Sequence, residues 1–262
     1  MDSVNKTLYI PLYGKSFVSK KGVILQDRKA EEIWEKEGFS LKGKSKSKWL
    51  AYFMAMRAKV FDDWLKTEAE FTENAVVLHI GCGMDSRVER VGMRGLLWYD
   101  VDFFEVIEYR KKYYSETEDY RMIAGDLRQT DWLNALPQGK NAIVLLEGVS
   151  MYLTNEELKD GLTKIAERFS SVKILLDCYS NFAAKMSKYK NPVNDVGVTK
   201  VYGLDDPKIL ENEQIKFVQE REMTPKTLIS QLTGLEKFVF QKLYAGKFAK
   251  SLYKTYEYKK EV

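Results

Sequence analysis

The stretch 75–103, AVVLHIGCGMDSRVERVGMRGLLWYDVDF, limits the fold of this chain more than any other segment. An apolar run, 75–80, stops at a glycine-rich turn, Gly81-Cys82-Gly83-Met84-Asp85-Ser86-Arg87. About 20 residues beyond Gly81, a second apolar run ends in Asp100 and Asp102, the layout of a nucleoside-binding βαβ unit. Glycine lets the chain turn sharply off the first strand and lets a ligand approach the backbone. A carboxylate at the tip of the second strand can accept hydrogen bonds from ribose hydroxyls.

Four further runs of strand length are legible at 96–99, 120–124, 142–146 and 172–178. They are rich in Val, Ile and Leu without clean alternation, as strands buried on both faces of a parallel sheet read. The spacers 103–114 and 155–169 are predicted helices, the second opened by Thr154 with Glu157 three residues on, a capping box. Strands alternating with helices predict an α/β, doubly wound sheet. Ahead of it, 29–38 and 49–69 are predicted helices. Between them Lys42, Lys44, Lys46 and Lys48 alternate with small residues, read as a solvated loop, with an acidic partner or substrate as the alternative. Beyond Ser180 a helix and loop are expected over the carboxyl edge of the sheet, where ligands bind. Thr224-Pro225 is read as a helix start, with Thr as N-cap and Pro in the first turn. The segments 238–245 and 254–258 read as two closing strands forming an antiparallel edge. The expected organisation is one domain: a helical cap over 1–72, a cofactor-binding core over 73–180, an insert over 181–222 and closing elements over 223–262.

The chain has 262 residues, with 45 % apolar and 13 % aromatic, ample for a packed core. A net charge of +4 makes no case for nucleic acid. Cys82 and Cys178 read as reduced thiols rather than a disulfide framework. No apolar run approaches the length of a bilayer span, and the amino terminus lacks the order of a signal peptide. The expectation is a cytoplasmic protein acting on a small molecule, without nucleic-acid or membrane partners.

The chemistry-bearing residues begin with the glycines. The third glycine of a dinucleotide fingerprint is replaced by Ser86, which suits a nucleoside without a pyrophosphate. Asp102, Asp126 and Glu147 follow three successive strands, whose tips converge in a doubly wound sheet. Any one of them reads as a helix cap; together they favour a ligand carrying donors or positive charge. S-adenosylmethionine supplies ribose hydroxyls, an adenine amino group, a sulfonium and an ammonium, whereas the phosphates of NAD would repel Glu147. Arg57 falls on the apolar stripe formed by Phe53, Val60, Phe61 and Trp64, so it needs a carboxylate partner. That partner is either Asp62, Asp63 or Glu147, or a carboxylate of the cofactor. His79, the lone histidine, lies within the first strand and reads as a hydrogen-bonded structural residue, which argues against a histidine-dependent hydrolase. Tyr152, past the fourth strand, either packs or contacts an acceptor.

GCGMDSR, WYDVDFFEVIEYRK, YRMIAGDLRQTDWL and LLEGVSMYLT, in this order, resemble the leucine carboxyl methyltransferase family, and within it the bacterial polyketide-synthesis O-methyltransferases of the tetracenomycin type. TLYIPLYGKS and RAKVFD fit the same pattern; the resemblance runs from about Leu8 to Ser180 and weakens beyond. It implies a class I S-adenosylmethionine-dependent methyltransferase fold. Gly81 and Gly83 would then lie under the methionine and ribose, Asp102 would take the ribose hydroxyls, and Asp126 and Leu127 would bind adenine. Glu147 would lie near the methionine amine, and Arg57, with Lys15 as a second ligand, would bind the methionine carboxylate. Tyr152 would sit near the transferred methyl. One departure is His79, where relatives often carry a polar amide. The implied activity is methyl transfer to a carboxylate, phenol or hydroxyl oxygen of a small molecule. The alternatives are a protein C-terminal carboxylate as acceptor, an NAD-dependent oxidoreductase on a related sheet, and a catalytically silent cofactor-binding module.

Overall fold

Alternate residues of the central strands point into two different apolar layers, and this explains why their sequences do not alternate. In the computed structural model, which describes residues 8–41, 43–92, 95–190 and 200–260, Val76, Leu78 and Ile80 enter one core and Ala75 and Val77 the other. The same split divides Val144 and Leu146 from Ile143 and Leu145. Both faces are dry, so both sets must be apolar.

The elements run α1 (Tyr9–Lys21), α2 (Arg28–Glu37), α3 (Lys48–Glu70), β1 (Val76–Ile80), α4 (Arg87–Val91), β2 (Leu97–Asp102), α5 (Phe104–Arg110), β3 (Tyr120–Ala124) and β4 (Asn141–Leu146). Then follow α6 (Asn155–Arg168), β5 (Ser171–Tyr179), α7 (Asn181–Lys190), β6 (Lys216–Arg221), α8 (Lys226–Ile229), α9 (Gly234–Leu243), α10 (Lys247–Leu252) and β7 (Tyr253–Lys260). The seven strands order as β3-β2-β1-β4-β5-β7-β6, with β7 antiparallel to both neighbours. All five predicted core strands are present in parallel register, and the tips of β3, β2, β1 and β4 stand side by side.

The capping box is formed: Thr154 Oγ1 accepts from the Glu157 amide at 3.1 Å, and Glu157 Oε2 accepts from the Thr154 amide at 2.8 Å. Asp27 caps α2 by accepting from the Ala30 amide at 2.8 Å, and Gly38 ends it in the left-handed region.

Three expectations are corrected. The segment 238–245 is not a strand; its first six residues belong to α9, where Phe240 is fully buried against Tyr52 and Tyr244. The antiparallel edge is made by β6 instead, whose Lys, Gln, Glu and Arg give an exposed edge strand little apolar signature. Thr224 is not an N-cap: Pro225 takes that position, in extended geometry, ahead of the four-residue α8. An unanticipated helix, α1, carries Pro11 in its first turn, where no amide partner is lost, and Gly14, which lets α1 approach α3 so closely that a Cβ there would lie 3.0 Å from Met54 Cβ.

Candidate active site

Strand β1 leaves the sheet through Gly81, whose φ of +67° a side chain would resist. A Cβ at Gly81 would also stand 2.2 Å from Val149 Cγ2, so the turn is closed to anything larger. The Gly81 amide donates to the Val101 carbonyl at 2.7 Å and ties the turn to β2. Gly83 is held at both ends of its peptide groups: its amide donates to Asp102 Oδ2 at 2.7 Å, and its carbonyl accepts from Arg110 Nη1 at 2.9 Å.

Asp102 Oδ1 also accepts from the Phe103 amide, at 2.8 Å. Burial nevertheless pushes its carboxyl up to about 6, because two neutral amides compensate the lost hydration only in part. Each oxygen keeps a free lone pair. Beneath it, Asp100 is saturated by Arg110, His79 Nδ1 at 3.1 Å, Trp98 Nε1 at 2.9 Å and the Tyr120 hydroxyl at 2.6 Å, and its carboxyl is held down to about 2. His79 Nε2 faces Arg87 Nη1 at 3.0 Å; burial lowers its basicity, and the ring is a structural link.

Beside the glycine turn runs a buried ionic network. Arg57 Nε, on α3, donates to Glu147 Oε1 at 2.9 Å, and Nη1 lies 3.2 Å from Asp177 Oδ2. Arg57 Nη1 also donates to the Tyr253 hydroxyl at 2.9 Å, which in turn donates to Asp177 Oδ2 at 2.7 Å. Arg87 reaches both Glu147 and, at 2.7 Å, Asp62. Arg90 bridges Asp62 at 2.8 Å, Asp85 at 2.7 Å and Asp27 at 2.6 Å, and Lys15 meets Asp85 at 3.0 Å. The arginines hold Glu147 and Asp62 ionised, and Asp85 well below the usual range. Asp177, farther from Arg57 and beside Glu147, is instead pushed up by burial. Five carboxylates face four cations in this network, so it has one anionic charge in excess.

The network opens onto a cavity of about 600 Å³. Of the residues expected to form the site, Lys15, Arg57, Gly81, Gly83, Glu147 and Tyr152 line it. Asp102, Asp126 and Leu127 lie outside its lining among the described residues. Asp126 is forked by Arg128 at 2.6 and 3.0 Å, and the Leu127 side chain packs beneath Gly161 of α6. The far wall is aromatic: Tyr253 meets Tyr179 at 5.0 Å and Phe53 at 5.8 Å, and Phe53 meets Tyr244 at 6.2 Å between ring centres. Sequence reasoning did not single out Arg87, Asp177 or Tyr253. Asp177 carried a usable signal, a carboxylate inside an apolar strand that must find a partner.

The donor set suits S-adenosylmethionine. Its amino-acid end and sulfonium carry one positive charge in excess, matching the network's surplus anion, and Asp102 retains acceptors for ribose hydroxyls. The sheet order, with its antiparallel β7, also differs from the all-parallel order of dinucleotide-binding domains.

Solved structures of similar fold include magnesium protoporphyrin IX methyltransferase of Synechocystis PCC 6803 with bound S-adenosylhomocysteine, at TM-score 0.53 and 12 % identity over 88 % of this chain and 93 % of that one. Another is the N-methyltransferase NodS of Bradyrhizobium japonicum WM9, at TM-score 0.52 and 11 % identity over 79 % and 87 %. In sequence, the chain is 26 % identical over 243 residues to the tetracenomycin polyketide synthesis O-methyltransferase TcmP of Streptomyces glaucescens, covering 91 % of this chain and 90 % of that protein. It is also 26 % identical to the S-adenosyl-L-methionine-dependent methyltransferase dpfgK of Gibberella zeae, over 80 % and 78 %. The sequence model of leucine carboxyl methyltransferases matches residues 3–166, which takes in α1, the glycine turn, the ionic network up to Glu147 and most of α6; the chain belongs to the leucine carboxyl methyltransferase family.

Proposed function

We propose that this protein transfers the methyl group of S-adenosylmethionine to an oxygen of a small, largely apolar acceptor, with a carboxylate favoured over a phenol or alcohol. The coarser part, that it is an S-adenosylmethionine-dependent methyltransferase, follows from family membership and the class I sheet. The acceptor class is supported by one observation above others. A single cavity runs from the glycine turn and the Arg57–Glu147 pair to a wall of Phe53, Tyr179, Tyr244 and Tyr253.

When bound, the cofactor supplies an electrophilic methyl on a sulfonium, so the protein's task is alignment and exclusion of water. In this reading Arg57 and Lys15 receive the methionine carboxylate, Glu147 and Asp85 face the ammonium, and Asp102 accepts from the ribose. Asp126 and Leu127 flank the adenine from the neighbouring strand tip, and Tyr152 orients the acceptor oxygen. Among the described residues, the groups that line the cavity offer no ready base. His79 is engaged at both nitrogens, Glu147 and Asp85 are ion-paired, and burial against Asp177 raises the Tyr253 hydroxyl far above its usual range. An acceptor that arrives already ionised needs none, which is why a carboxylate is favoured. The tetracenomycin relative, named as a polyketide synthesis O-methyltransferase, supports an oxygen of a polyketide-like acceptor.

Calorimetry with S-adenosylhomocysteine and NADH, followed by turnover against matched aromatic carboxylic acids and phenols, tests the proposal. Tight binding of the first ligand only, with methyl esters as products, is the expected result. Cofactor binding with turnover confined to amines or thiols overturns the acceptor assignment, and NADH binding overturns the whole.

A further inference from the structure

Three stretches around the cavity opening share a composition unlike the rest of the chain. Residues 43–48, 181–187 and 234–252 together hold eight lysines, no arginine and one acid, Glu236. Their net charge is +7 against +4 for the whole chain, so everything else sums to −3. All three reach the cavity, through Lys44, Ala183 and Leu243 respectively. They also touch one another: Lys48 pairs with Glu236 at 3.0 Å, and the Phe182 and Phe248 rings meet edge-on at 6.4 Å.

The same rim gathers exposed apolar side chains. Six of the eleven large hydrophobic residues exposed among the described residues lie in it, with Phe248 69 % and Phe182 55 % exposed. Large apolar groups clustered at one opening mark a binding surface rather than scatter. The kind of cation identifies the partner. Inside the protein, carboxylates are gripped by Arg57, Arg87, Arg90 and Arg110, with Lys15 on Asp85 as the one buried lysine among the described residues. On the rim it uses lysine alone. Protein interfaces enrich arginine and deplete lysine, because the planar fork matches carboxylates. Lysine beside exposed phenylalanine is the pattern of an interfacial surface, with stems lying along apolar matter and ammonium groups reaching phosphates. A second copy of the chain is disfavoured, since two rims of like charge would face each other.

We propose that this rim seats the protein on an anionic lipid surface, with Phe182 and Phe248 entering the headgroup boundary and the lysines meeting phosphates. No helix among the described residues is long and apolar enough to cross a membrane, so the contact is peripheral. Seated this way, the cavity mouth faces the phase into which an apolar acceptor partitions; that last consequence rests on the function proposed above, whereas lipid binding itself does not.

Sedimentation with vesicles tests it, comparing phosphatidylcholine alone with phosphatidylcholine containing about 30 % phosphatidylserine. The protein is expected to sediment with the anionic vesicles only, and less as salt is raised. Phe182→Ser with Phe248→Ser, and separately Lys242→Glu with Lys247→Glu, should each weaken partition by about tenfold or more. Calorimetric affinity for S-adenosylhomocysteine in solution should stay unchanged in both, which shows that the fold and the cofactor site are intact. Wild-type protein left in the supernatant with anionic vesicles overturns the proposal, as does undiminished sedimentation of folded variants. Salt-sensitive binding to polyglutamate without vesicle binding also overturns it, in favour of an acidic protein.

Discussion

The amide of Gly83 donates to Asp102 Oδ2 at 2.7 Å, so the glycine turn after β1 is fixed by the carboxylate at the tip of β2. One side chain therefore holds the loop and presents acceptors to whatever lies over it. Its raised value, about 6, follows from burial, which the two amides and the neighbouring Arg110 offset only in part.

Asp102→Ala is expected to weaken S-adenosylhomocysteine binding by about 1–3 kcal/mol, through loss of charge-assisted hydrogen bonds. Ribose hydroxyls donate to the ionised carboxylate, so wild-type affinity should fall as pH drops through about 6, by up to about tenfold per unit. Calorimetry across that range checks both effects. A flat profile in the wild type, or unchanged affinity in the variant, refutes the assignment of Asp102 to ribose.

Arg57→Met removes the cation that Glu147 and Asp177 share, leaving Asp177 only the Tyr253 hydroxyl and the Gly148 amide. Uncompensated buried charge costs about 3–5 kcal/mol, and urea unfolding should register a loss of that size. Adding Asp177→Asn should recover part of it, since one stranded charge is then gone. Equal stability of the single variant and the wild type rules out this network as a structural element.

Gly81→Ala meets both a left-handed backbone and the Val149 side chain. Destabilisation of about 1–3 kcal/mol is expected, with weaker cofactor binding. Val149→Ala in the same background relieves the overlap but not the backbone strain, so thermal unfolding should show partial rescue. Complete rescue would show that conformation at Gly81 is unimportant.

Asp100 is held down to about 2 despite its burial, by Arg110 and by bonds from His79 and Tyr120. A depressed carboxyl contributes stability that is fully present above its unfolded value near 4 and lost as pH falls toward 2. Acid unfolding should steepen across that window. Arg110→Gln should shift the loss to higher pH, and an unshifted acid limb would separate Asp100 from acid stability.

Strands β1, β4 and β5 are legible because burial on both faces demands apolar runs, whereas β3, at the edge of the sheet, is buried on alternate residues only. The errors cluster where tertiary context decides. Helix α1 was hidden by Pro11 and Gly14, one harmless in a first turn and the other needed for contact with α3. The run Phe238-Val239-Phe240 looks strand-like residue by residue, yet Phe240 is buried from a helix. In the site, Arg57 announced itself as a charge on an apolar stripe, and Glu147 was among its anticipated partners. Its other two partners were not anticipated, because β7 brings Tyr253 back across 196 residues to meet it. Asp126 has a local partner that its place at a strand tip does not announce, Arg128, two residues along.

Strand β7 occupies the slot between β5 and β6, although it is the last of the seven in chain order. During synthesis, therefore, the sheet stays split with β6 unpaired until 253–260 leave the ribosome. Tyr253 arrives with that strand, so the guanidinium it steadies lacks its full complement of neighbours until then. A nascent chain stalled before residue 253 should therefore lack the Arg57–Tyr253 contact and, on the function proposed above, grip the methyl donor poorly.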